Sequence, residues 1–316
     1  MTDNSALRPT KLADMIGMED NRRRIGMSIK AAKDRGEALG HLLISGSRGQ
    51  GKSTLAMCVA NEIGTKLHIV NAATIKKDED LIGLLAKSIG AFDAVFVDEL
   101  HGLSTRICEM LYTALEDFRL DVPRGKTRHI ININLKPFTL IGATTDVGKV
   151  PAPMRDRFRL REQLTPYSNE DIAKIITLNA QKLGRYIHED AAMAIAVRSR
   201  NTPRISVNHL YWVRDYAHVK NYKDITLDLV EEAMKEQGID AMGFTPTDRT
   251  YLKELCDTFN GGPAGLSALS NQLLIEPCTL EADIEPYLMM KELILRTPGG
   301  RCLTSRGWIY CQDTFK

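Results

Sequence analysis

Short apolar runs punctuate the first half of the chain. They are His41–Leu42–Leu43–Ile44–Ser45, Leu67–His68–Ile69–Val70, Ala94–Val95–Phe96–Val97 and Phe138–Thr139–Leu140–Ile141–Gly142. Runs this short that are almost wholly apolar predict strands buried on both faces. Helical spacing fills the gaps over Lys52 to Ile63, Glu79 to Ile89 and Ser104 to Leu115. Strand and helix in alternation predict an α/β domain with a parallel sheet covered on both sides. One stretch breaks the rhythm. From Phe118 to Leu135, the apolar residues Leu120, Val122, Ile131, Ile133 and Leu135 alternate with polar ones about Pro123–Arg124–Gly125–Lys126. That alternation predicts a β-hairpin inserted between a helix and a strand.

From about Ser168 the period is helical throughout. Ser168 to Leu183, Glu189 to Arg200, Pro203 to Val219 and Thr226 to Glu236 predict a small all-helical domain. Beyond Gly238, a helix starting near Thr245–Pro246–Thr247–Asp248 runs to Phe259, and Gly261–Gly262–Pro263 breaks the chain. The last forty residues hold two short helices and strand-like pieces near Leu293 to Arg296 and Arg301 to Thr304. This pattern fits a three-helix core with a two-stranded wing.

Composition narrows the function classes. The chain has 316 residues, 43% of them hydrophobic and 26% charged, enough for two or three domains with real cores. Its 42 basic and 40 acidic residues leave +2, so any nucleic-acid surface must be a local patch. No run approaches the roughly 18 apolar residues of a membrane helix, and Met1 to Pro9 lacks the apolar segment of a signal peptide. The cysteines at 58, 108, 256, 278, 302 and 311 form no CxxC pair, which argues against zinc and for reduced thiols in a cytoplasmic protein.

Gly46–Ser47–Arg48–Gly49–Gln50–Gly51–Lys52–Ser53 fits GxxxxGK[ST] between a predicted strand and a predicted helix. Glycines there let backbone N–H groups turn inward around phosphate oxygens, and the helix N-terminus adds its positive dipole end. Lys52 is the candidate for the β and γ phosphates, and Ser53 for Mg²⁺. The run Val95–Phe96–Val97–Asp98–Glu99 ends a strand in two carboxylates: Asp98 for the Mg²⁺ shell, Glu99 to orient and deprotonate water. GTPase signatures are missing, and a glutamate directly after the aspartate is unusual for small-molecule kinases. ATP hydrolysis is the expected chemistry.

These residues resemble the AAA+ class and, within it, the RuvB family of Holliday-junction branch-migration motors. The resemblance runs through Leu7–Arg8–Pro9, Ile16–Gly17, Ala31–Ala32–Lys33, the phosphate loop and Asp98–Glu99–Leu100–His101. It continues in Leu115–Glu116–Asp117–Phe118, Pro137 to Thr145, Met154–Arg155–Asp156–Arg157–Phe158, Thr202–Pro203–Arg204–Ile205 and Val213–Arg214–Asp215. Gly261–Gly262–Pro263, Glu285–Pro286–Tyr287–Leu288 and Arg296–Thr297–Pro298 complete it. It implies an AAA+ P-loop domain with an inserted hairpin (1–166), a helical lid (167–240) and a winged helix (241–316). It also implies a cytoplasmic homo-hexamer that uses ATP and Mg²⁺ to migrate four-way DNA junctions. A clamp-loader or initiator-like ATPase, which remodels a partner without processive movement, is the alternative.

The resemblance also distributes roles. Thr144, or Thr145 next to it, resembles the polar sensor of the γ-phosphate. Arg157 resembles the arginine finger for a neighbouring subunit's nucleotide, and Arg204 the second sensor. Leu7, Arg8 and Tyr167 bracket the adenine side; Gly46, Gly49, Gly51, Thr54, Glu116, Asp117 and Phe118 join the nucleotide contacts. Hairpin 118–135 corresponds to the docking element for RuvA, the junction-binding partner. Arg296 and Arg301 match DNA-contact positions. Charge agrees with the last assignment: Ala241 to Pro286 carries seven acidic and two basic residues, Tyr287 to Lys316 two acidic and five basic. Departures from the family pattern are Gly299 in place of an arginine, Ser47–Arg48 in place of Pro–Pro, and a shorter hairpin with a more basic tip.

Overall fold

The computed structural model describes residues 6–124 and 129–315. The hairpin-tip residues Gly125 and Lys126, singled out above for their position and charge, lie outside the described residues. Two compact units emerge, Met1–Lys182 with Thr202–Arg204, and Leu183–Asn201 with Ile205–Lys316.

In the first unit, the four predicted strands form as β1 (Leu42–Ser45), β2 (Leu67–Asn71), β3 (Ala94–Asp98) and β6 (Thr139–Thr144). A fifth, β7 (Leu160–Gln163), completes a parallel sheet in the order β2-β3-β6-β1-β7. β1, β3 and β6 are buried on both faces, as unbroken apolar strands require, whereas β2 lies at the sheet edge, only partly covered, with Ile69 exposed rather than buried as its apolar run predicts. Val95, Val97, Leu43 and Leu140 face Ile107, Leu111 and Ala114 of α4 (Thr105–Glu116). Ala94, Phe96, Leu42 and Ile44 face Ile25 and Ile29 of α1 (Glu19–Arg35) and Leu55, Ala56 and Val59 of α2 (Lys52–Ile63). The predicted helix over 79–89 is a short α3 (Asp78–Ile82) continued by wider turns over Gly83–Ser88.

His41, at the foot of β1, is a buried polar brace: Nε2 donates to Leu115 O at 2.9 Å and Nδ1 accepts from Leu140 N–H at 2.9 Å. Burial pushes its pKa down to about 4, so the ring is neutral at pH 7. The inserted hairpin is β4 (Arg119–Arg124) antiparallel to β5 (His129–Asn134). Leu120 is buried, while Ile130 and Ile131 on β5 are exposed. The unit also holds α5 (Ala152–Asp156) and α6 (Asn169–Lys182).

The second unit carries α7 (Glu189–Arg198), nearly all of α8 (Pro203–Val219), and α9 (Leu227–Glu236). Then come α10 (Pro246–Asp257), α11 (Leu266–Leu273), α12 (Pro277–Thr279) and α13 (Glu285–Met290), joined by a wide turn over Leu280–Ile284. The wing is β8 (Ile294–Thr297) paired with β9 (Gly300–Leu303), and α14 (Ser305–Phe315) closes the chain. Phe244, Tyr251, Leu255, Leu269, Leu288 and Ile294 are at the centre of this core. No helix among the described residues is long and apolar enough to cross a membrane.

Candidate functional site

The C-terminal ends of β1, β3 and β6 lie side by side at one edge of the sheet, the place where open α/β sheets bind ligands. The phosphate loop leaves β1 there. Gly49 and Gly51 hold φ of +78° and +90°, a backbone region that L side chains rarely adopt. A Cβ on Gly49 would also sit 2.6 Å from the Thr202 side chain, and 3.1 Å from that of Arg204. The loop is therefore glycine for shape on one side and for close approach on the other. Buried Gln50 turns its Oε1 back to accept the Ser47 N–H at 3.0 Å.

Lys52, only 8% exposed, donates to Gly46 O at 2.7 Å and Ser47 O at 3.0 Å. Burial holds its pKa below the usual lysine range, opposed by the nearby charges of Glu99 and Asp98 and aided by Arg204 and Arg48. The structure thus brings Lys52, Asp98, Glu99 and Arg204 into one electrostatic neighbourhood. Ser53 and Thr54 lie half-buried in the first turn of α2.

Glu99 has a left-handed backbone, φ +51°, which is strained for a residue with a side chain. Its Oε2 accepts from Thr145 Oγ1 at 3.1 Å and lies 3.4 Å from His101 Nδ1. Thr144 is fully buried and already committed. Its hydroxyl donates to Asp146 O at 3.0 Å and accepts from Asp146 N–H at 3.1 Å, while His101 Nδ1 lies at 3.0 Å. A hydroxyl has one proton, so His101 must carry its proton on Nδ1 and donate it. Of the two threonines, Thr145 is the one that touches the acidic pair.

Arg157, just beyond α5, lies over the Tyr112 ring at 4.6 Å. It donates to Pro153 O at 2.8 Å and to Glu116 Oε2 at 3.0 Å. Glu116 is therefore coupled to the arginine, whereas Asp117 caps α4 and Phe118 packs edge-on against His41 and Phe138. Leu7 is buried, and its carbonyl accepts from Lys182 Nζ at 3.0 Å; Arg8 reaches the Met57 sulfur. Tyr167, its pKa pushed up to about 12 by burial, has its hydroxyl 3.7 Å from where a Gly51 Cβ would be. Sequence reasoning missed Gln50 and Tyr112. Neither carries a composition signal, and only contact reveals them.

The wing arginines are cross-strand partners, and both turn onto α13. Glu285 is fully buried. It accepts from Arg296 Nε at 2.6 Å, Arg301 Nε at 2.9 Å and Tyr251 Oη at 3.2 Å. Arg301 also donates to Glu281 at 2.7 Å, and Arg296 to the Glu281 carbonyl at 3.0 Å. Arg301 is 12% exposed and Arg296 38%.

Comparison with known proteins covers nearly the whole chain. Models of the Holliday junction DNA helicase RuvB P-loop domain, the RuvB AAA lid domain and the RuvB C-terminal winged helix domain match residues 7–164, 167–240 and 241–312. The Holliday junction branch migration complex subunit RuvB of Rhodopirellula baltica is 41% identical over 304 residues, 96% of this chain and 83% of that protein. That of Fervidobacterium nodosum is 39% identical over 310 residues, 98% of this chain and 89% of that protein. The solved Thermotoga maritima RuvB Holliday junction branch migration motor superposes with a TM-score of 0.86 at 36% identity, covering 97% of this chain and 98% of that one.

Proposed function

Because the chain belongs to the RuvB family of ATP-driven branch-migration motors, we propose that it works as a homo-hexamer whose ATP sites are shared between neighbouring subunits. Lys52 binds the β and γ phosphates. Ser53, in the first turn of α2, and Asp98, at the end of β3, are the pair suited to hold Mg²⁺, a hydroxyl and a carboxylate. That ion would neutralise charge on the phosphate oxygens. Glu99 orients and deprotonates the attacking water, and Thr145, rather than the committed Thr144, reports the γ-phosphate to it. Arg204 senses the nucleotide from the start of α8, and Arg157 acts as a finger on the next subunit's ATP.

The observation that carries this reading is the state of Lys52: a nearly buried ammonium resting on two neutral carbonyls beside Asp98 and Glu99. Phosphate oxygens can replace those neutral acceptors and bring negative charge into direct contact with the ammonium, beyond what Asp98 and Glu99 supply from nearby. On DNA, we assign the phosphate contact to Arg296, whose side chain is the more open of the wing pair. The exposed Ile130 and Ile131 suit the hairpin to dock a RuvA-type junction binder through apolar contact. A DNA-junction substrate supports a cytoplasmic location.

The test is ATP-dependent migration of a synthetic four-way junction, with and without a RuvA-type protein. Glu99→Gln should bind ATP, remain assembled and fail to move the junction. Wild-type turnover by Glu99→Gln would overturn the assignment of the base.

A further inference from the structure

We propose that Tyr112 positions the arginine finger, holding the Arg157 guanidinium in the plane from which it reaches the neighbouring subunit's nucleotide. This rests on the between-subunit reading of Arg157 given above.

Tyr112 and Glu116 are one turn apart at the C-terminal end of α4, so their side chains share a face. Arg157 follows α5 and lies against that face. Three groups hold it, and they are unequal. Glu116 is 63% exposed, and an ion pair of that kind is weak and readily exchanged. Pro153 O fixes a single N–H. The ring, 4.6 Å from the guanidinium carbon, is the only one that sets the orientation of the whole plane.

A face contact also uses no N–H group. When Nη2 leaves Glu116 for a phosphate oxygen, the ring can stay in place and the fork of donors is already aimed. Arg157 Nε points the same way: it is buried and has no hydrogen-bond partner among the described residues. The hydrogen bonds of Arg157 fall on Nη1 and Nη2 alone among the described residues. Here the hold is on the face and the outer nitrogens, as suits a side chain that must be oriented and yet released. The α4 C-terminus, with its negative dipole end, favours the cation at this spot as well.

The experiment mixes defective subunits. Lys52→Ala chains lack an ATP site but present a finger, and Arg157→Ala chains bind ATP but lack a finger. Their mixture should hydrolyse ATP where the first serves the second. Tyr112→Leu is then added to one partner at a time. On the Lys52→Ala chain, which donates the finger, it should lower the mixture's kcat about tenfold, the size of one partly buried cation–π contact expressed as rate. On the Arg157→Ala chain, it should change kcat less than twofold. Tyr112→Phe on the donor should restore the rate, since the ring face is what matters. Equal losses on both sides, or none on the donor, would overturn the positioning role. A mixture that is inactive before Tyr112 is touched would overturn the between-subunit finger instead.

Discussion

The phosphate loop and the wing both hold cations nearly out of water, and they hold them in opposite ways. Lys52 rests on two backbone carbonyls, which are neutral. Arg301 rests on Glu285 and Glu281, and Arg296 shares Glu285, so two guanidiniums face two carboxylates. The first cation keeps its charge available for a ligand. The second arrangement is neutral as a whole, and it removes the repulsion that two arginines directly opposite on paired strands would otherwise feel. A cation awaiting a ligand and a cation bracing a fold therefore differ in their acceptors more than in their burial. Arg157 falls between them, on one carbonyl, one exposed carboxylate and a ring.

The largest expected effect breaks the loop. Lys52→Ala should lower ATP hydrolysis by on the order of 10²–10³-fold or more, as loss of a charge-stabilising donor does. Stability should hold or rise, because burial already disfavours the ammonium. The measurements are steady-state turnover and urea unfolding of the same preparation. A marked loss of stability would show that Lys52 is also a brace.

Glu285→Gln attacks the other side of the comparison. Two guanidiniums would be left around a neutral amide, and stability should fall by about 3 kcal/mol. ATP turnover without DNA should be little changed, since the loop and the wing belong to separate units. Unfolding followed by tryptophan fluorescence, in a Trp212→Phe background that leaves only Trp308 against the winged-helix core, reads this. An unchanged midpoint would remove the brace.

A smaller effect separates the two arginines. Arg296→Ala should reduce the slope of log K against log salt for duplex binding by about 0.9, one phosphate contact. It should do so equally on unrelated sequences, because contacts to the backbone carry no sequence information. Arg301→Ala should leave the slope alone and cost about 2 kcal/mol of stability as its bonds to Glu285 and Glu281 are lost. The reverse pattern would exchange the two roles.

How much of this was legible depends on whether the chemistry is local. The loop was, because cradling a phosphate fixes glycines and a lysine at set spacing, and Gly49 and Gly51 have the backbone that the motif demands. The four apolar strands were legible for the same kind of reason. β7 was not: it is short, and one of its inward positions is Glu162, a buried carboxylate held by Asn21 and Arg24, so no apolar pattern marks it. α1 shows only Ile25, Ile29 and Ala32 as an apolar stripe among charges. α14 contains Gly307, required because a Cβ would meet the Leu293 carbonyl at 2.1 Å, and glycine argues against a helix on propensity alone. The jobs of Arg296 and Arg301 were hidden because Glu285 lies on another element. The sequence marks both arginines as wing cations, and only the packing tells which acceptors they have.

The smallest expected effect tests whether the wing can be made more like the loop by giving it a cation that nothing nearby neutralises. Gly299 stands at the turn between β8 and β9, where the family pattern has arginine. Its φ lies outside the left-handed region, and a Cβ there would meet Pro263 at 3.5 Å, an ordinary contact. An L side chain therefore fits without strain, unlike at neighbouring Gly300, whose Cβ would meet the Ala264 carbonyl at 2.3 Å. Glu285 already accepts from Tyr251 and both existing arginines, so an arginine at the turn would keep its donors for solvent or phosphate. Gly299→Arg should steepen the salt slope by about 0.9 and tighten duplex binding a few-fold near physiological salt. Stability should move by less than about 0.5 kcal/mol, as for most surface changes. A steeper slope with unchanged stability would show that the wing does face DNA. An unchanged slope would move the DNA surface off the wing altogether.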